Sequence, residues 1–483
     1  MEPVNGRFLF KPGIGTRALY TLLLCSAAVL PRPGLAENPA GLAHEIDRIR
    51  VQHGVSAAAV IVVDNDEVLL EHYLGVTDWD APRTVDRDTY FRLGSVTKVF
   101  TALALLRAEE QGKLSLQQEV AEILGQAQSN NPWAESNPLR VAQLMEHTAG
   151  WYDMSAMEFD DQNPTPLSPA EALAMRPESR VMHWPPGWHS EYSNSGPGMA
   201  SYVIEQATGE VFDQYIVEQV FKPLGMDSAS LLLSDKIEQS LATGYDRDGH
   251  TVIPYWHIVY RASGGLNVLP FEMSSFLQML LNHGRLGDRA VFSETQIKRL
   301  ETPKTALAAQ TGLEYGYGMG IYRSLYKQHV LFGHGGDADG YLAHFKYSRE
   351  SGRAYLVVIN AFNHAPLRAM QVQLNDYLVA DLPAAIMPEI SVLDESVLAR
   401  YAGLYHQAAV RFPREGWQQN TLQVRLEDGV LQTSKNGSEW RHLLPVSEQH
   451  FRRANEPLAT AAFIPMDGDR MVLQLPNGNY IRD

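Results

Sequence analysis

Cysteine is almost missing from this chain. Cys25 is the only one in 483 residues, so no disulfide within the chain can hold the fold. Metal-ligand spacing is missing too: the 16 histidines include no His-Glu-x-x-His or comparable cluster, and neither a metal nor another cofactor is expected. There is no excess of basic charge, since 40 Lys and Arg stand against 56 Asp and Glu for a net charge of −16. That balance argues against a nucleic-acid partner. The apolar run from Ala18 to Leu30 is shorter than the roughly 20 residues of a membrane span. It follows Arg7, Lys11 and Arg17 and leads to the small residues Gly34 and Ala36. This three-part pattern predicts a secretory signal over residues 1–36, cut ahead of Glu37. The product would be exported, periplasmic or secreted, with no integral membrane span once the signal is removed. A retained anchor is the alternative reading of the same run.

The composition is that of a globular protein, 45% hydrophobic and 20% charged, and the length suits two or three domains. The most informative stretch runs from Tyr90 to Leu106. Gly94 permits a sharp turn, Ser95 sits where a helix cap or first-turn residue would, and the helix that follows is apolar nearly all round. Lys98 lies three residues beyond Ser95, one helical turn away, where its amine can approach the hydroxyl. The free N–H groups of a helix start would favour negative charge on that oxygen. This is the arrangement of an activated serine nucleophile. Ser324 and Lys327 have the same spacing, however, and a capped helix with a solvated lysine also fits any Ser-x-x-Lys.

Taken in order, the chain predicts a helix over Ala43–Gln52 and a hairpin from Val55–Val63 and Glu67–Tyr73. The nucleophile helix should end at Gly112. A short helix over Val141–Gly150 is expected to close on its glycine, with His147 a packing and hydrogen-bonding residue. Residues 151–186 are loop-like and proline-rich, and Trp151, Tyr152, Trp184 and Trp188 could either rim a cleft or simply pack. Helices are expected over Gly198–Thr208, over Phe212–Phe221 (stopped by Pro223) and over Phe271–Asn282. A second hairpin, Tyr341–Tyr347 with Ala354–Asn360, and a helix over Pro366–Val379 follow. Strands at both ends with helices between imply an α+β fold, an antiparallel sheet flanked by helices with an inserted all-helical region. Pro383–Pro388 reads as a linker. Beyond it Asp428-Gly429, Asn436-Gly437 and Asn477-Gly478 punctuate alternating strands, predicting a small antiparallel β domain over 394–483 that can be separated from residues 37–382.

Two further motifs join the first. Tyr192-Ser-Asn194 offers a phenol that an ammonium would help to ionise, beside an amide suited to orienting Lys98 or a substrate. Gly333-His334-Gly335-Gly336-Asp337 offers a backbone that can approach a ligand, and a histidine that could be a switchable donor or positive charge. Ser-x-x-Lys, Tyr-x-Asn and His-x-Gly in this order resemble the serine β-lactamase-like hydrolases of the class C type. That family includes penicillin-binding DD-peptidases, D-aminopeptidases and family VIII esterases. Leu144–Gly150, Lys222–Met226, Gly264-Gly265-Leu266 and Gly316–Gly320 carry the resemblance further, and Leu398–Tyr405 is similar to the opening strand of the lipocalin-like barrel some members bear.

The resemblance implies Ser95 as nucleophile, Lys98 as its activating partner and Tyr192 as general base and then acid. It implies Asn194 as an orienting group, and His334, Gly336 and Asp337 as substrate-binding positions, with the N–H groups of Ser95 and Asp337 as oxyanion hole. Hydrolysis of an ester or amide through an acyl-enzyme is the implied chemistry, on a small-molecule or peptide substrate. Class C β-lactamases typically carry Lys-Thr-Gly where this chain has His334-Gly-Gly336, so an esterase or D-amino-acid peptidase is expected ahead of a β-lactamase or DD-peptidase. A weakly catalytic scaffold is the reading from another class. Oligomeric state has no signature in the sequence.

Overall fold

The computed structural model describes residues 38–125, 129–155, 158–163, 165–413 and 420–482. The signal expected over 1–36, with Cys25, lies outside the described residues. Six strands build the main sheet: β1 (Ala57–Asp64), β2 (Val68–Gly75), β3 (Tyr322–Tyr326), β4 (His329–Ala338), β5 (Tyr341–Ser348) and β6 (Arg353–Ile359). Their order is β2-β1-β6-β5-β4-β3, all antiparallel. The two ends of the region meet in the middle, where Ala58 lies opposite Ile359 and Asp64 opposite Arg353.

All of β1 but its last residue is buried, because the sheet is covered on both sides. Ala57, Ala59, Ile61 and Val63 enter one apolar cluster; Ala58, Val60 and Val62 enter another. That is why β1 reads as an unbroken apolar run instead of alternating. Four helices position the site: α1 (Pro39–Gln52), α2 (Thr97–Glu110), α3 (Ser195–Thr208) and α4 (His364–Val379). Ile46 and Ile49 of α1 and Met370 and Leu374 of α4 cover one face of the sheet. The inserted helices cover the other, with α2 at their centre, buried everywhere except Arg107, Glu109 and Glu110.

Three local expectations are corrected. The helix begun at Val141 stops at Met145, because the chain leaves it through His147 at a left-handed φ of 58°; Gly150 turns the backbone only later. The helix from Phe212 does not stop at Pro223. It widens into a π-helical turn over Val217–Phe221, and Pro223 falls at the start of a further turn, Lys222–Leu224, where a missing N–H costs nothing. The loop over 151–186 holds two short helical pieces, Pro169–Ala174 and Pro177–Arg180, each again opened by proline.

Eight further strands close into a barrel: β7 (Gly403–Gln407), β8 (Thr421–Glu427), β9 (Val430–Ser434), β10 (Arg441–Pro445), β11 (His450–Arg452), β12 (Ala461–Pro465), β13 (Met471–Leu475) and β14 (Gly478–Arg482). Asp428 and Gly429 both take positive φ, 51° and 75°, in the two-residue turn between β8 and β9. Stacked rings of Tyr401 and Phe463, 4.5 Å apart, anchor the barrel core. The barrel is not independent of the rest. Ala308 and Leu313 share an apolar cluster with Ala462, Ile464 and Val472, and Asn479 Nδ2 donates to the Ser190 carbonyl at 2.9 Å. A cut in the linker would expose that cluster, a cost the strand patterns gave no sign of.

Candidate active site

Ser95 sits in a 3-10 turn, Gly94–Val96, that leads into α2. Gly94 holds a φ of 51°, and Thr97 Oγ1 pins the turn by donating to the Gly94 carbonyl at 2.6 Å and accepting Leu266 N–H at 3.0 Å. Strand β4 passes directly over this turn. A β-carbon added at Gly336 would fall 1.8 Å from the Leu93 carbonyl oxygen and 3.1 Å from the Ser95 nitrogen. Only glycine lets the backbone of Gly336 and Asp337 come so close to Ser95.

Lys98 has no exposed surface. Its Nζ lies 3.0 Å from Ser95 Oγ, 2.7 Å from Asn194 Oδ1 and 2.7 Å from the Ser263 carbonyl oxygen. Burial holds its pKa well below the usual lysine range; Asp153 opposes this, Arg411 adds to it and Asp337 opposes. Asn194 is itself fixed, because its backbone N–H donates to Asp153 Oδ1 at 2.7 Å and its Nδ2 to Asp153 Oδ2 at 3.0 Å. Asp153, fully buried, is paired with Arg411, whose Nη2 and Nε lie 2.7 and 2.8 Å from Oδ2.

Tyr192 lies between these groups, its ring 4.9 Å from Lys98 Nζ and 4.6 Å from the Arg411 guanidinium. Burial works against the expected ionisation of this phenol. It raises the pKa above the ordinary 10, and a hydrogen bond with Ser95 and the charge of Arg411 recover only part. His147 packs against the ring at 4.3 Å, and it brackets the tyrosine by accepting Glu191 N–H on its carbonyl at 2.8 Å and Ser193 N–H on Nδ1 at 3.2 Å.

His334 is buried in β4, with Nδ1 2.5 Å from the Gly335 carbonyl and Nε2 2.7 Å from Tyr317 Oη. A carbonyl can only accept, so Nδ1 carries the proton and Nε2 accepts from the phenol. Burial, reinforced by Lys98, lowers the pKa of His334 to about 3. That direction works against the switchable charge expected at this position and favours the neutral ring.

Ser95, Tyr192, Asn194, His334 and Asp337 all line one cleft of about 520 Å³, and Lys98 lies beneath it. Its apolar walls are Phe159, Ile258, Phe362 and Phe412. The tryptophans take no part in that rim; Trp151 and Trp184 are buried, and Trp151 Nε1 donates to Ser193 Oγ at 3.1 Å. Sequence reasoning missed Asp153, Tyr317, Ser263 and Arg411. Tyr317 stands in Gly316–Gly320, a stretch already singled out, whereas Arg411 comes from the barrel and had no local signal. Among the described residues there is no cluster of three or more His, Cys, Asp or Glu placed to hold a metal ion, and no helix is long and apolar enough to cross a membrane.

A buried amine against a hydroxyl at the head of a core helix, under an antiparallel sheet, defines the class: serine hydrolases of the β-lactamase and transpeptidase type. Residues 42–377 match the family model described as Beta-lactamase, and the chain belongs to that family. A β-lactamase of Yersinia enterocolitica is 25% identical over 270 residues, 56% of this chain and 65% of that protein. Curated relatives are matched over only 39% to 65% of their own length. The octameric penicillin-binding protein homologue from Pyrococcus abyssi shares the fold over 92% of this chain and 99% of its own, with a TM-score of 0.61 and 21% identity. The structure of SurE with D-Leu does so over 92% and 99%, with a TM-score of 0.57 and 20% identity. Both spans are long enough to take in the barrel as well as the sheet region.

Proposed function

We propose that this protein is an exported serine hydrolase that cleaves an ester or amide bond, of the esterase or D-amino-acid peptidase type, through an acyl-enzyme on Ser95. Residues 37–382 would form the hydrolase unit and 394–483 the barrel, with 1–36 removed on export. The observation that carries this reading is the triple contact of Lys98. A neutral amine has two protons and one lone pair; the protons match the two oxygens that can only accept, on Asn194 and Ser263, and the lone pair then faces the Ser95 hydroxyl.

Ser95 Oγ attacks the substrate carbonyl carbon as its proton passes to Lys98. Tyr192, kept protonated by burial, gives its proton to the leaving oxygen or nitrogen and regains one from Lys98. The Ser95 and Asp337 N–H groups are assigned to the developing oxyanion, a role supported by the close approach of β4 to the Ser95 turn. Water then cleaves the ester on Ser95 by the reverse proton path. Neutral His334 offers no permanent cation to a β-lactam carboxylate, which favours esterase or peptidase over β-lactamase. The likeness in fold to a structure holding D-Leu supports a D-configured peptide as one substrate class. A scaffold would have no use for an amine buried at this cost.

Fluorophosphonate and fluorescent penicillin labelling of the purified chain, with p-nitrophenyl butyrate and D-amino-acid p-nitroanilides as substrates, tests the reading. Label on Ser95 with ester or anilide turnover supports it. Label by penicillin with rapid release would favour the β-lactamase alternative, and no label by either would leave the scaffold.

A further inference from the structure

Arg411 lies beyond β7, in the barrel, yet it stands in the catalytic cleft. Two kinds of bond hold it there: the ion pair to Asp153, and the Asp153 backbone N–H, which donates to the Arg411 carbonyl at 2.9 Å. Asp153 belongs to the loop after Gly150, so the clasp joins the two parts of the chain at the site itself. Its effect passes inward through Asn194. An ionised carboxylate only accepts, so Asn194 must aim Nδ2 at Asp153, and its Oδ1 is then left for Lys98. The guanidinium also covers the face of the Tyr192 ring, with Lys98 Nζ on the same ring.

We propose that the Arg411–Asp153 clasp is the positioning device by which the barrel completes the active site, locking Asn194 in the orientation that holds Lys98 and neutralising the buried Asp153 carboxylate behind it. The proposal rests on the reading of Ser95 and Lys98 given above. Without Arg411, the Asp153 charge would stand uncompensated behind Asn194 and favour an ammonium on Lys98, which cannot accept a proton from Ser95. The remaining groups about Lys98 are Asp337 and His334 on β4, His147 before the Tyr192 segment, and Tyr192 itself; the two histidines are held neutral by burial. Asp153 favours the protonated form of both Lys98 and Tyr192, and Arg411 opposes it at both. The sign of the effect is thus the same whichever of the two accepts the proton.

The test is the pH profile of kcat/KM on p-nitrophenyl butyrate for the full chain and three variants. Arg411→Gln is expected to move the acid limb up by about one pH unit, and Asp153→Asn to move it down. Arg411→Lys, which keeps the charge, stays close to wild type. Thermal melting is followed alongside, and should Arg411→Gln fail to fold, the downward shift in Asp153→Asn decides alone. Equal or absent shifts in variants that still take fluorophosphonate on Ser95 overturn the clasp. A wild type that takes no label overturns the hydrolase reading beneath it instead.

Discussion

Two Ser-x-x-Lys quartets lie in this chain, one where a 3-10 turn enters α2 and one at the end of β3. In the first, Lys98 has no exposed surface and places its amine against Ser95, Asn194 and the Ser263 carbonyl. In the second, Lys327 is 62% exposed and pairs with Asp376 at 2.6 Å, while Ser324 Oγ donates to the Leu331 carbonyl at 3.3 Å. Residues three apart meet on a helix but fall on opposite faces of a strand. Lys327 and Gln328 moreover form a hairpin turn with positive φ, 45° and 71°. The spacing is shared, but only the helix brings the two side chains together, and only burial removes the charge that would stop an amine from acting as a base.

The contrast breaks most sharply at the hydroxyls. Ser95→Ala is expected to lower ester hydrolysis by about a thousandfold or more and to abolish fluorophosphonate labelling, whereas Ser324→Ala leaves both intact. Labelled peptides mapped by mass spectrometry would reveal a wrong assignment as a modified Ser324. At the lysines, Lys98→Met is expected to cost about a hundredfold or more in kcat. The same variant separates the two by linkage. An unfolded Lys98 binds a proton below about 10.4 that the folded one does not, so stability rises with pH in that window by up to about 1.4 kcal/mol per unit. Denaturant unfolding at pH 7 and 9 is expected to give wild type this extra slope relative to Lys98→Met. Lys327→Met is expected to keep it.

Buried histidines give a smaller effect of the same kind. His334 is held down at about 3 and His189 at about 4. Their stability contribution is whole above the unfolded value of about 6.5 and falls as pH drops through 6.5 toward 3 and 4. Melting temperature is expected to fall between pH 7 and 5, while His334→Asn lessens that fall and leaves the midpoint of the activity profile between pH 5 and 8 unchanged. A midpoint that moves in this variant would mean His334 titrates during turnover. The least effect belongs to the exposed pair: Lys327→Ala is expected to change unfolding free energy by no more than about 1 kcal/mol.

Local rules carried the sheet, the core helices and the barrel, because each element states its own pattern. The unbroken run of β1, the apolar surround of α2 and the Asp428-Gly429 turn are all visible within a few residues. The three motifs are local as well, each legible within a few residues, and the fold brings Ser95, Lys98, Tyr192, Asn194 and His334 to one cleft. What escaped was set by burial and by distance along the chain. Nothing near Tyr192 says that its phenol will be shut away from water, and nothing near His334 says that Tyr317 will occupy its Nε2. Asp153 and Arg411 are 258 residues apart in sequence. Where the helix from Phe212 ran through a proline, the wider π turn ahead of it was a backbone choice that no side-chain pattern announces.

Strand β1 leaves the ribosome early, yet its central partner is encoded far downstream: Ala57 N–H is satisfied by Asn360 Oδ1, 303 residues later. At about 5–20 residues per second, translation takes roughly 15 to 60 seconds to deliver that partner. For that interval a strand apolar on both faces is paired only with β2, leaving one edge and much of two sticky surfaces open. Yield of this protein is therefore expected to depend on elongation rate and on holding chaperones more than on the stability of the finished fold. Slower growth temperature, by weakening hydrophobic association while the chain waits, is the simplest way to recover it.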